Sequence, residues 1–179
     1  MRITGGILKG RNVEVPPGII RPSMDKMRES VFSILGDLNG LCFLDIFSGS
    51  GIIALEAASR GATYIEAVES DPLKRKILLK NVSISPVRIN CRFISAELYI
   101  QRVKRPFNVI FLDPPFPYRF RWELMQKLSV STAVSDETII IIHRPRKDLQ
   151  KEVIEYLKLK DSREFGNSTV DFYNFKNNS

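Results

Sequence analysis

The spacing of apolar positions changes period several times along the chain, and each change predicts an element. Residues 1–15 alternate in two short runs around Lys9-Gly10 and stop at Pro16-Pro17-Gly18, which predicts a basic β-hairpin. Past Arg21-Pro22, Ser23 can cap a helix reaching about Leu35, with Met27, Val31, Ile34 and Leu35 on its apolar stripe and Gly36 ending it. From there on, runs that are apolar throughout alternate with helical stretches. Strands are predicted at 41–46, 64–69, 88–94, 107–113 and 138–143, with helices over 52–60, 72–81, 96–103, 119–130 and 147–157. Unbroken apolar strands interleaved with helices imply a parallel sheet covered on both faces. Near the C-terminus, 163–175 alternates around Gly166-Asn167 and reads as a closing hairpin, followed by a disordered tail at 176–179.

Composition narrows the class. With 179 residues, 44% hydrophobic and 26% charged, the chain has the proportions of one α/β domain, divided into an N-terminal extension over 1–20 and a core over 21–176. A net charge of +7 favours a polyanionic partner. Cys42 and Cys91 lie far apart in apolar runs, the usage of a reducing compartment, and exclude a disulfide framework. A single histidine and no Cys-x-x-Cys spacing argue against a metal site. No signal-like segment and no 18-residue apolar run occur, so a cytoplasmic protein without membrane association is expected.

Two constellations carry chemistry. The first is Asp45-Ile46-Phe47-Ser48-Gly49-Ser50-Gly51, between the first strand and first helix of the alternating region, where an open α/β sheet binds its ligand. Glycines let the backbone approach a ligand closely. Glu69 closes the second strand 24 positions after Asp45, the spacing of an acid that accepts from ribose hydroxyls. Ala54 replaces the third glycine of a dinucleotide loop, which weakens an NAD reading, and no Gly-Lys-Ser/Thr follows, which excludes a P-loop.

The second constellation, Asp113-Pro114-Pro115-Phe116, ends the fourth strand at the same sheet edge. Two prolines remove two N–H donors, leaving the Asp113 carboxylate and the Pro114 carbonyl as acceptors suited to an exocyclic amine. Acceptors on both amine hydrogens aim the nitrogen lone pair at an electrophile, and Phe116 offers a face for an unstacked base.

On these residues the chain resembles the class I S-adenosylmethionine-dependent methyltransferases that modify exocyclic amines. The N-terminal M-R-I-T-G-G-x-x-K-G-R, then R-P-S-M-D-K-M-R-E-S-V-F-S-I-L and S-R-G-A, are similar to the RsmD-type 16S rRNA guanine-N2 methyltransferases over nearly the whole length. The resemblance implies a Rossmann-like seven-stranded sheet of order 3-2-1-4-5-7-6 with the last strand antiparallel. It implies S-adenosylmethionine held by Asp45, Phe47, Gly49 and Gly51 at its methionine end, Glu69 at its ribose, and Ser70 with Ala96 at its adenine. Arg21, Ser23 and Arg28 match a cofactor-adjacent segment, and Asp113, Pro114, Pro115 and Phe116 match the catalytic one. The implied substrate is one guanine of 16S rRNA, guanine 966 by resemblance, within small-subunit particles, and the implied enzyme is a monomer. Two positions depart from the pattern: Ser95 stands where such enzymes often carry an aspartate, and Ile142-His143 where they often carry a glutamate.

Basic residues complete the picture. Arg102, Lys104, Arg105, Arg119 and Arg121 flank Asp113 in sequence and predict a positive mouth, while Arg2, Lys9 and Arg11 could grip RNA phosphates beside it. His143 reads as structural, since no acid is near it in sequence, and Trp122 as packing. Two other functions stay open on the residues alone: a DNA adenine-N6 methyltransferase, for which the chain has no room for a recognition domain, and a noncatalytic RNA-binding assembly factor, against which Asp113 and the loop glycines stand.

Overall fold

The structure, a computed structural model, describes residues 1–15, 23–148 and 154–175. Arg21, the middle of the expected 147–157 helix at 149–153 and the tail at 176–179 lie outside the described residues, as does the side chain of Ser23.

Seven strands form one sheet of order β3-β2-β1-β4-β5-β7-β6, as the resemblance implied. They are β1 (Cys42–Ile46), β2 (Tyr64–Val68), β3 (Ile89–Arg92), β4 (Val109–Leu112), β5 (Ile139–Pro145), β6 (Leu157–Phe165) and β7 (Ser168–Phe175). The first five are parallel; β7 enters antiparallel between β5 and β6. The helices are α1 (Ser23–Leu35), α2 (Ile52–Ser59), α3 (Arg75–Val82), α4 (Ala96–Arg102) and α5 (Arg121–Ser129), with a 3-10 turn over Pro72–Lys74. The expected helix at 147–157 is not helical at its described ends: Arg146 and Lys147 form a turn, and Leu157 already opens β6.

Alternate residues of the central strands feed two cores. Phe43, Ile65, Val109 and Phe111 pack with α1 and α2 on one face. Leu44, Ile46, Ile110 and Leu112 pack with α4 and α5 on the other. Residue period 2 makes this division automatic. Helix α2 is buried all round, and side chains such as Leu55, fully covered, each contribute about 1.5–3 kcal/mol.

The N-terminal segment is what covers α2. The expected hairpin is short: residues 1–3 and 10–13 are joined by one antiparallel bridge, Arg2 to Asn12, and by backbone bonds such as Ile3 N–H to the Arg11 carbonyl at 3.0 Å and Gly10 N–H to the Ile3 carbonyl at 2.9 Å, while the turn between them docks on α2. Ile7 N–H donates to the Ser59 carbonyl at 2.8 Å, and Leu8 N–H to Ser59 Oγ at 2.8 Å. A Cβ on Gly6 would lie 1.9 Å from that carbonyl at φ +73°, so the dock admits only glycine. The fully buried Glu56 of α2 accepts Thr4 N–H at 2.8 Å and pairs with Arg28 and Arg60. Ile3 and Val13 join the main core, so residues 1–15 belong to the packed body of the protein.

Register sets up the site. Ile46 lies opposite both Val68 and Leu112, and Leu112 opposite Ile142. The next residues, Phe47, Glu69, Asp113 and His143, therefore emerge together at one sheet edge.

Candidate active site

A cavity of about 800 Å³ opens at this edge, lined by the loop after β1, the residues after β2, the start of α4, the turn after β4, and His143 of β5. The glycine loop is held from below. Asp45, fully buried, accepts Ser48 Oγ–H at 2.6 Å and Ala54 N–H at 3.2 Å through Oδ2. Its Oδ1 is buried with no hydrogen-bond partner among the described residues. Burial pushes the Asp45 carboxyl up to about 7, with the bonds from Ser48 and Ala54 opposing that rise. Glu69 accepts Gly49 N–H and Asp71 N–H, both at 2.8 Å, and Lys74 Nζ stands 3.7 Å away. Phe47 holds a φ of +65°, unusual without glycine, and its ring lies 5.2 Å from that of Tyr118.

The loop after β4 has different anchors. Asp113 N–H donates to the Ile46 carbonyl at 3.1 Å, fixing the strand end. Asp113 Oδ1 meets His143 Nδ1 at 2.8 Å. Arg121, 4% exposed, donates to the Phe116 carbonyl at 2.9 Å and pairs with Asp148. Phe116 is half-buried with its ring edge-on to His143 at 5.7 Å. Among the described residues, neither Asp113 Oδ2 nor the Pro114 carbonyl is engaged in a hydrogen bond. Both residues line the cavity, so two acceptors in its wall are left unengaged.

Of the residues singled out from the sequence, Asp45, Phe47, Gly49, Glu69, Ser70, Ala96, and Asp113 through Phe116 line the cavity. Other expectations need correcting. Gly51 does not line it: at φ +81° a Cβ there would meet Leu78 Cδ1 at 2.7 Å, so this glycine serves packing of α2 against α3. Arg28 is turned away, 1% exposed, with Nη2 bonded to the Arg2 carbonyl and Asp25. Arg121 cannot contact RNA, because its guanidinium is buried under the 113–116 loop. Arg102, Lys104 and Arg105 precede β4 and sit at the opposite sheet edge, around a hollow of about 400 Å³, where Arg105 stacks on Tyr64 at 3.8 Å. The mouth is correspondingly less positive than their sequence position suggested; Arg119 is exposed, as are Arg2, Lys9 and Arg11. His143 has a partner acid after all, and Ser95 Oγ is occupied in capping α4 through Leu98 N–H at 3.2 Å.

Sequence reasoning also missed lining residues. Lys74 and Asp71 flank Glu69, Met24 and Met27 of α1 face the cavity, and Tyr118 donates to Glu97 at 2.5 Å. That bond holds the Glu97 carboxyl below the usual carboxylate range. Position immediately after the strand ends was the available signal for Asp71; none marked Met24.

Comparison with known proteins gives this geometry its context. Residues 1–174 match the family model described as conserved hypothetical protein 95. The chain is 33% identical over 148 residues to Ribosomal RNA small subunit methyltransferase D of Escherichia coli, covering 79% of this chain and 73% of that one. A putative rRNA methyltransferase of Bacillus subtilis, YlbH, is 26% identical across 97% of this chain and 98% of its own. The solved structure of a putative methyltransferase from Escherichia coli, yhhF, superposes with a TM-score of 0.88 at 28% identity, covering 98% of each chain. A match that spans 1–174, from the docked N-terminal segment to β7, takes in the glycine loop and the Asp113 turn alike, and the chain belongs to this RsmD family of methyltransferases.

Proposed function

We propose that the protein transfers a methyl group from S-adenosylmethionine to the N2 amine of a guanine in 16S rRNA, acting as one catalytic domain on small-subunit particles. The observation that carries the chemistry is the pair of unengaged acceptors, Asp113 Oδ2 and the Pro114 carbonyl, on residues that line the same cavity as the glycine loop.

The cavity suits a cationic cofactor. Asp45, Glu69, Asp71, Glu97 and Asp113 line it, with Lys74 the one basic side chain among the described lining residues, and Asp45 Oδ1 is a buried acceptor with no donor among them. When bound, S-adenosylmethionine supplies an electrophilic methyl group. Gly49 and Phe47 would hold its methionine end, Glu69 its ribose, and Ser70 and Ala96 its adenine. Asp113 and Pro114 would accept the two amine hydrogens, aim the nitrogen lone pair and take up the proton that leaves after transfer, while Phe116 stacks on the base. The exposed Arg2, Lys9, Arg11 and Arg119 would supply phosphate contacts that orient the RNA without reading its sequence.

Guanine is favoured over adenine or cytosine by family membership alone, because the acceptor pair fits any aromatic exocyclic amine. Labelled methyl transfer to small-subunit particles, naked 16S rRNA and duplex DNA tests the substrate. The expected order of rates is particles, then naked RNA, with none on DNA; transfer confined to DNA would overturn the RNA assignment.

A further inference from the structure

Late in β5 the chain carries His143 where the resemblance leads one to expect a glutamate, and its environment defines what it can do. Nδ1 lies 2.8 Å from Asp113 Oδ1, while Nε2 is buried with no partner among the described residues. A neutral imidazole bears one N–H and one lone pair. With the proton on Nε2, a buried donor would be left unsatisfied and the Nδ1 lone pair would face a carboxylate oxygen. With the proton on Nδ1, the donor meets Oδ1 and only a weak acceptor is left bare. The second arrangement is strongly favoured.

We propose that His143 is the positioning residue for Asp113: its Nδ1–H pins Oδ1 and turns Oδ2 toward the amine that is to be methylated. The inference rests on the function proposed above. The imidazole cannot swing away, since its side chain is 7% exposed and the Phe116 ring packs edge-on at 5.7 Å. The same hydrogen bond reaches both walls of the base site, fixing the acceptor and the aromatic face together. In the reaction the amine lone pair forms the N–C bond as the C–S bond breaks, its electrons remaining on sulfur. The nitrogen then releases one proton to Oδ2, leaving Asp113 neutral and His143 unchanged, its Nδ1–H still bonded to Oδ1.

The chain has one histidine, so its imidazole nitrogens can be observed without ambiguity in the full-length, tag-free protein. Long-range proton–nitrogen NMR at neutral pH should show the Nδ1–H tautomer, against the Nε2–H form that a free imidazole prefers; finding Nε2–H would overturn the proposal. In methyl transfer, His143→Phe should keep the ring's space and lose about 100-fold or more in kcat, with KM for particles within about threefold. His143→Asn, whose carboxamide N–H can reach Oδ1, should restore the rate to within about tenfold of wild type. A wild-type rate in folded His143→Phe, or equal loss in both variants, contradicts positioning. If the unaltered protein methylates no RNA, the proposed function fails, and the tautomer alone then decides the role of His143.

Discussion

Around the glycine loop, the Asp45 and Glu69 carboxyls are tied mainly to backbone N–H groups, those of Ala54, Gly49 and Asp71, with the Ser48 hydroxyl as the one side-chain donor. Around Asp113, the anchors are side chains, His143 of β5 and Arg121 of α5. The first half of the site is a backbone cradle whose acids mostly shape the loop. The second is a short proline-stiffened turn whose one acid is held by a side chain and keeps an oxygen free. A cofactor that is bound and released needs a shaped cradle; a proton acceptor needs an unengaged lone pair at a fixed place.

Each half can be broken separately. Asp113→Ala should leave S-adenosylmethionine affinity intact by calorimetry and slow single-turnover transfer by two or more orders of magnitude, roughly 3 kcal/mol or more. Equal loss of cofactor binding would erase the contrast between the halves. Arg121→Met should destabilise the fold by about 2–3 kcal/mol in urea, since it removes the donor to Phe116 and leaves Asp148 without its cation, yet keep the salt dependence of RNA binding. A flatter salt dependence would return Arg121 to the RNA surface.

Gly51→Ala should cost about 1–3 kcal/mol through its left-handed backbone and the contact with Leu78, while the folded fraction still binds cofactor. Loss of binding without loss of stability would make this glycine part of the cradle's ligand face. The buried Asp45 adds a pH signature. Its folded-state pKa of about 7 lies above the ordinary 3.8, so the folded protein holds a proton that the unfolded chain has released between these values. Stability from this group is full below about pH 4 and falls as pH rises to about 7. Thermal melts of Asp45→Asn should be flatter across that window, and an unchanged slope would show that burial does not govern this carboxyl. The smallest effect is expected from neutralising Arg2, Lys9 and Arg11 together, which should lower the salt slope of RNA binding by about two to three with cofactor affinity unchanged.

Much of the fold and the cradle was legible because both follow local rules. Apolar runs of strand length, the Ser-Gly-Ser-Gly turn and an acid at the end of the second strand each report on their neighbours alone. His143 was misread because its partner is 30 residues away in sequence. Once β4 and β5 are adjacent and parallel with Leu112 opposite Ile142, the following residues must meet. Arg102 to Arg105 were misread for the converse reason. They are near Asp113 in the chain, yet the four residues of β4 advance about 13 Å and carry it from one sheet edge to the other. Arg121 follows the Asp113 turn, but nothing in its sequence setting tells that its guanidinium folds back beneath the loop. Gly51 shows the limit of motif reading: the motif places it in a ligand loop, and the packing of Leu78 explains it.

The most direct measurement is mass spectrometry of nucleosides from 16S rRNA after incubating unmethylated small-subunit particles with S-adenosylmethionine and either the unaltered protein or Asp113→Ala. The account predicts one N2-methylguanosine per rRNA with the unaltered protein and almost none with the variant. Methyladenosine or methylcytidine in its place, or equal yields from both proteins, would contradict it.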